Sequence, residues 1–354
     1  LIRVFDLNIN FLTEIDDYES LVFERNYYTH SMFELHINEN KKDVHHLIKN
    51  NIISIGKNLT KCGIIKVVER SAENTEEIII SGFSLDFLFS SRVIIPVAPS
   101  AYDSIIASVE TSIKHYINNC IVDPVDPKRK LDFFNLIEDC NRGAVSEYNA
   151  RGEFLSEYVS QIRKQHEMGI SIVINRVTNK LDVDVMIGED HRAGQEKPVI
   201  FSTDYDNISK QLLYQSDVEE KNFAYVYGQG EGVDRELVTV GDYSGINRKE
   251  LIVESRSSTD SLISEGETEL AQYPEIFTFE TEILNRQPFV YERDFNLGDL
   301  VTVTNKKWSI RLDTRITEIR EIYEAKKLRV EVVFGNNIPT LKDVLKGKLK
   351  KEVK

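Results

Sequence analysis

Apolar and polar residues alternate in short stretches through the first hundred positions. VFERN (22–26) and FELHIN (33–38) each change polarity residue by residue, as a half-buried strand does. Leu21–Tyr28, Met32–Ile37, Cys62–Val68 and Glu77–Ser81 are rich in β-branched and aromatic residues, and polar turns separate them. These segments predict strands, so residues 1–98 read as a β domain. The period then changes. Behind Pro99, Ser100 and Asp103 form a Ser-x-x-Asp capping box, and Tyr102, Ile105, Ile106, Val109, Ile113, Tyr116 and Ile117 share one helical stripe. This predicts a helix from about 100 to 117, and the two prolines of DPVDPK (123–128) end the unit. A second stripe, Phe154, Leu155, Tyr158, Val159 and Ile162, predicts a helix over 153–168 with Gly169 as a left-handed C-cap. ISIVINRVTNKLDVDVMIG (170–188) reads as a β-hairpin, and residues 99–197 therefore read as a mixed α/β domain.

From Pro198 strand patterns return: VIFST, FAYVYG, RELVTV, ELIVES, FTFETEIL, LVTVTN, WSIRL, RITEIREI and LRVEVVFG. A helix over 259–272 interrupts them. Residues 198–340 read as a second β domain of barrel or sandwich type, with part of 198–255 able to complete the first one instead. Residues 341–354 form a basic tail with six Lys against Asp343 and Glu352.

Composition narrows the functional class. The 354 residues carry 44 Lys and Arg against 58 Asp and Glu, a net charge of −14. That excess disfavours a body built to grip nucleic-acid phosphates. No apolar run reaches the roughly 18 residues of a membrane-spanning helix, and the acidic N-terminus is unlike a signal peptide. The first residue is Leu, which predicts a processed or trimmed start or a non-ATG start codon. The cysteines, Cys62, Cys120 and Cys140, are odd in number and form no CxxC, which argues against disulfides or a Cys-rich zinc site and predicts folding in a reducing cytoplasm.

No candidate motif passes its context test. Gly228, Gly230 and Gly232 follow a strand, but the spacing is GxGxG and another strand follows, so a hairpin turn is expected instead of a dinucleotide site. Asp182 and Asp184 are expected on the wet face of a strand, and Asp204 or Asp206 as the cap of a short helix. Neither pair has the glycine and glutamate of a calcium loop. His45 and His46 are adjacent, so on a helix they diverge by about 100° and suit no shared metal. Neither HExxH nor GxSxG occurs. Cys140 lacks a partner that marks a nucleophile. Tyr and Phe fall on apolar faces and are expected in cores. No catalytic, cofactor-binding or metal-ligating residue is assigned, and the chain is expected not to be an enzyme.

Four stretches, in order, carry a resemblance. They are ISGFSLDFLFSSRVIIP with Gly82 and Arg92; NFAYVYGQGEG with Gly228 and Gly230, followed by RKELIVESR with Arg248; the helix near 259–272 with the strand after it; and YERDFNLGDLVTVTNKKWSIRLDTRITEIRE, ending in RVEVVFGNNIPTLKDVLKG, with Gly298, Asp299, Arg315 and Gly335. The chain resembles the tail-hub, or baseplate-hub, proteins of long-tailed bacteriophages and phage-tail-like bacteriocins, the siphophage tail-associated hub family. The resemblance implies an α+β, β-rich fold with two tube-like barrel or sandwich domains and an α/β domain between them. It implies a homotrimeric ring at the tail tip, assembled in the bacterial cytoplasm. Its partners would be a distal tail or tail-tube protein, a tape-measure protein, and a tip spike or fibre protein. DNA would transit the ring without specific binding. Because the chain stops soon after the last β domain, it is expected to be a hub core, with any fibre, receptor-binding or wall-hydrolase module on another chain. A β-rich module for host-surface glycans and a tail-tip cell-wall hydrolase are the alternatives.

Overall fold

The computed structural model describes residues 1–56, 59–70, 76–255, 259–283, 289–324 and 327–335; the basic tail lies outside them. Among the described residues, strands account for 45% and helices for 18%, an α+β, β-rich fold. One sheet dominates. Its strands run in the spatial order Ile208–Ser216, Ile276–Ile283, Lys327–Gly335, Ile310–Glu324, Ser20–Asn26, Met32–Asn38, Glu77–Ser84, Cys62–Arg70, Ile52–Ile55, Ile2–Phe5 and Phe11–Ile15. Leu300–Asn305 pairs with Ile310–Glu324 off this path, and Ile200–Ser202 runs parallel to it.

The joint in this sheet connects the two ends of the chain. Ile310–Glu324 is a single 15-residue strand, where the pattern predicts the two segments WSIRL and RITEIREI. Its first part pairs with Leu300–Asn305; its second lies between Lys327–Gly335 and Ser20–Asn26. The N-terminal and C-terminal β regions are thus hydrogen-bonded into one wall.

Strands buried on both faces explain the densest apolar runs. Ile52 and Ile64 face a core shared with the middle of the chain, whereas Ile53 and Ile65 face the N-terminal core. Alternation disappears where both sides of a sheet are covered. The covering module contains helix α1 (Val109–Ile117), helix α2 (Leu155–Gln165) and the hairpin Gly169–Asn175/Lys180–Met186. Ile113, Tyr116 and Ile117 of α1 are fully buried, each worth about 1.5–3 kcal/mol. A third core fills the second β region around Phe201, Phe279 and Phe334. A fourth, smaller one holds helix α3 (Thr259–Leu270) through Leu262 against Ala224, Val226 and Val253.

Four local expectations are corrected. The first helix begins at Val109, not near Ser100. Ser108 caps it, accepting from Thr111 N at 3.3 Å. Asp103–Ser108 is a strand paired with Val145–Ala150, and Ile106 on it is 73% exposed. Pairing with a segment forty residues away overrides the helical stripe. Asp103 instead accepts from His115 Nε2 at 2.6 Å, at the other end of the helix. Second, Gly169 opens a strand, and Glu167 has the positive φ of 52°. Third, Ile208–Ser216 is a strand against Ile276–Ile283, not a helix capped by Asp204 or Asp206. Fourth, Asp184 lies on the less buried face of its strand as expected but is not simply solvated, because Lys114 and Arg142 reach it at 2.8 and 2.7 Å. The hairpin at Gly228–Gly232 forms as expected: Gly228 N donates to Glu236 O at 2.9 Å, joining Phe223–Tyr227 to Leu237–Val240. Cys62, Cys120 and Cys140 are all free thiols. No helix among the described residues is long and apolar enough to cross a membrane.

Candidate functional site

Three of the motif residues, Gly298, Asp299 and Arg315, meet where the N-terminal sheet, the middle module and the second β region converge. Tyr27, just after the strand Ser20–Asn26, supplies the wedge. Its ring is 1% exposed, and its hydroxyl donates to Met186 O at 3.1 Å. Its backbone N–H donates to Thr317 O at 2.9 Å. The guanidinium of Arg315 lies 5.4 Å from the ring centre, donates to Gly298 O at 2.6 Å and pairs with Glu167 at 2.9 Å. Gly298 has φ 93°, and a Cβ there would overlap the Tyr27 ring. Gly188 touches the Gly298 backbone from the other side, where a Cβ would collide with it. Asp299 accepts from Glu189 N at 2.8 Å and Asn296 N at 2.6 Å; burial pushes its carboxyl above the ordinary range. Arg163 of α2 completes the junction, donating to Tyr27 O and pairing with Asp86 at 3.2 Å.

A second buried set lies nearby on the same wall. Lys61 pairs with Glu321 at 2.8 Å and Glu292 at 2.7 Å. Tyr291 donates to Glu321 at 2.5 Å, and Arg25 reaches Tyr291 at 2.6 Å and Asn296 at 2.9 Å. Glu321 is fully buried. Burial raises the Tyr291 hydroxyl well above its ordinary pKa. These contacts tie Lys61, just before the strand Cys62–Arg70, and the strand carrying Glu321 to the loop at 291–296.

The other motif residues lie elsewhere. Gly82 sits in mid-strand, where the Phe33 ring covers it and a Cβ would meet that ring at 2.6 Å. Arg92 donates to Arg129 O at 3.0 and 2.8 Å, bracing the turn after α1. Arg248 stacks 3.5 Å from the Phe223 ring centre and reaches Tyr225 at 2.7 Å, far in sequence from Gly228 and Gly230 but on the same small sheet. Gly335 ends the last described strand opposite Thr278. The pattern does not reveal Tyr27, Arg163, Glu167, Gly188, Lys61 and Glu321, because each makes at least one of its contacts to a residue more than a hundred positions away.

A groove of about 570 Å³ opens beside the junction and is lined by Ile187, Glu189, His191, Phe289 and Asp299 among others. Among the described residues its lining contains neither Ser, Thr nor Cys. Its carboxylates are engaged: Asp299 on two amides, Asp294 on Val290 N at 2.7 Å, Glu292 on Lys61 and Glu189 on His191 at 3.4 Å.

Residues 1–336 match the family described as siphovirus ReqiPepy6 Gp37-like protein. The chain belongs to that family. Its fold is that of phage tail proteins. The 43 kDa tail protein of prophage MuSo2 from Shewanella oneidensis aligns at TM-score 0.60 and 12% identity, over 95% of this chain and 98% of that one. The tail protein of Neisseria meningitidis MC58 aligns at TM-score 0.59 and 12% identity, over 95% and 96%. Prophage tail protein gp18 of Listeria monocytogenes EGD-e aligns at TM-score 0.55 and 12% identity, over 99% and 98%. No curated protein matches in sequence.

One titration lies within the wall itself. Glu318 lies beside Glu24 and Glu280; burial, then those two charges, push its carboxyl up to about 7. Its folded pKa exceeds the unfolded value of about 4.3, so its contribution to stability is full below that value and is lost as pH rises toward 7. Glu318→Gln is therefore expected to raise the melting temperature at pH 8 and leave it unchanged at pH 4. Equal shifts at both pH values would contradict this.

Proposed function

We propose that this chain is the hub at the distal end of a phage or phage-like tail, a homotrimeric ring between the tail tube and the tip. The observation that carries the reading is the single wall with two unpaired ends. Among the described residues, Phe11–Ile15 pairs only with Ile2–Phe5, and Ile208–Ser216 only with Ile276–Ile283. Both free edges bear exposed apolar side chains: Phe11 at 47%, Leu212 at 52% and Tyr214 at 39%. Unpaired edges of this kind invite another strand. Pairing one edge with the opposite edge of a second copy is a heterologous contact, which closes into a ring when the rotation fits. The net charge of −14 suits a ring through which DNA passes without being held. In this reading the tail-tube or distal tail protein docks above, the tape-measure protein ends at the ring, and a spike or fibre protein docks below. The particle assembles in the bacterial cytoplasm.

Light scattering on the purified chain tests the trimer. Three times the chain mass of 40.8 kDa is expected, with threefold rings and an axial hole in negative stain. Leu212→Lys is expected to shift the population toward monomer by about tenfold or more, since an apolar contact at the centre of an interface is worth over 1 kcal/mol. A chain that stays monomeric at high concentration and beside its tail partners refutes the hub.

A further inference from the structure

Among the described residues, Asp43, His45 and His46 form the one group of His, Cys, Asp and Glu whose ligand atoms converge, all lying within 4.8 Å of one another. The expectation that the two histidines diverge does not hold. Val44–His46 is one turn of 3-10 helix, and the His45 and His46 rings lie 4.1 Å apart, tilted by 39°. We propose that these three side chains form a binding site for a divalent transition metal ion of the zinc type.

The scaffold is fixed before any ion arrives. Val44 and Leu47 are buried in the N-terminal core on either side of the pair. His46 N donates to Asp43 O at 3.0 Å, and Leu47 N to Val44 O at 2.8 Å. Asn51 Nδ2 donates to His46 O at 2.8 Å. Asp43 is aimed by Thr13, itself buried, whose hydroxyl donates to Oδ2 at 2.9 Å. A ligating carboxylate held by an outer hydrogen bond is a recurrent feature of metal sites. The exposed Lys42 ammonium lies 3.8 Å from the same oxygen and is free to swing away.

The donor set decides the ligand class. Two imidazoles and one carboxylate suit zinc, cobalt, nickel or copper; calcium and magnesium require more oxygens. Ligand bonds near 2.0–2.2 Å place tetrahedral donors roughly 3.4 Å apart, a spacing that side-chain rotation reaches from the present one. His45 is exposed, so the ion would keep an open position toward solvent.

The test uses the full chain, stripped with a chelator. Calorimetry with zinc chloride is expected to show one saturable site per chain of micromolar affinity or better. Cobalt(II) is expected to give visible absorption, and calcium no heat. His45→Ala, at an exposed position, should retain the wild-type melting temperature and weaken zinc binding by at least about tenfold, with loss of the cobalt spectrum. Thr13→Val should weaken it by about 10- to 100-fold. No saturable zinc binding overturns the site. So does binding unchanged in the His45→Ala/His46→Ala double variant, which would place the ion elsewhere, for example at Cys140.

Discussion

Replacing Glu110 with Ala lowers stability by about 3–5 kcal/mol, the cost of leaving buried charges without their partner. Glu110 lies at the start of α1 and is fully buried. Lys114 meets it at 2.6 Å, one helical turn on. Arg142 grips it with Nε at 2.8 Å, Nη2 at 2.9 Å and its backbone N–H at 3.0 Å. Asp184 shares both cations, tying the helix to the central hairpin. These hydrogen bonds, Arg142 foremost, hold the Glu110 carboxyl far below its usual range. A depressed folded pKa stabilises fully above the unfolded value of about 4.3 and is lost as pH falls toward the folded one. Acid should therefore loosen the middle module of the wild type, and Glu110→Ala should remove much of that sensitivity. Thermal melts at pH 7 and pH 3 check both statements: the variant's melting temperature should fall by roughly 10 °C at pH 7 and by less at pH 3, which lies between the unfolded and the folded pKa. A variant that loses the same amount at both pH values refutes the electrostatic account.

Gly298→Ala is expected to cost about 3 kcal/mol. Holding an L side chain at φ 93° is strained, at about 1–2 kcal/mol, and the new methyl overlaps the Tyr27 ring, adding about 1–3 kcal/mol of overpacking. The effect should reach beyond stability. Tyr27 contacts the middle module through Met186 and Glu167, and the second β region through Thr317 and Gly298. Displacing the ring should expose the strand ends around the junction to faster amide exchange. A cycle with Tyr27→Leu isolates the contact, because neighbours in direct contact couple by about 0.5–3 kcal/mol. Strict additivity of the two changes would mean that backbone strain alone is responsible.

Local chemistry made much of this legible. The alternation in 20–26 and 32–38, the hairpin at 169–186 and the Gly228–Gly232 turn all depend on neighbours within a few residues. Misassignments fell where distant pairing overrode local preference. Asp103–Ser108 has a helical stripe but finds a strand partner at Val145–Ala150, and Ile208–Ser216 is ordered by Ile276–Ile283. Of the site, Gly298, Asp299 and Arg315 were visible through a family likeness, but Tyr27, which they surround, had no signature because an aromatic residue in a β segment usually means core.

The amino-acid sequence by itself determined the β-rich character and the family, because these follow from period and motif order. Tertiary structure alone decided that the two ends of the chain share one wall, that Arg142 and Asp184 gather around the buried Glu110, and that His45 and His46 converge beside Asp43. Side-chain period records which face of an element is buried, but not which distant element covers it. A ladder between Ser20–Asn26 and Ile310–Glu324, nearly three hundred residues apart, leaves no mark in either segment alone.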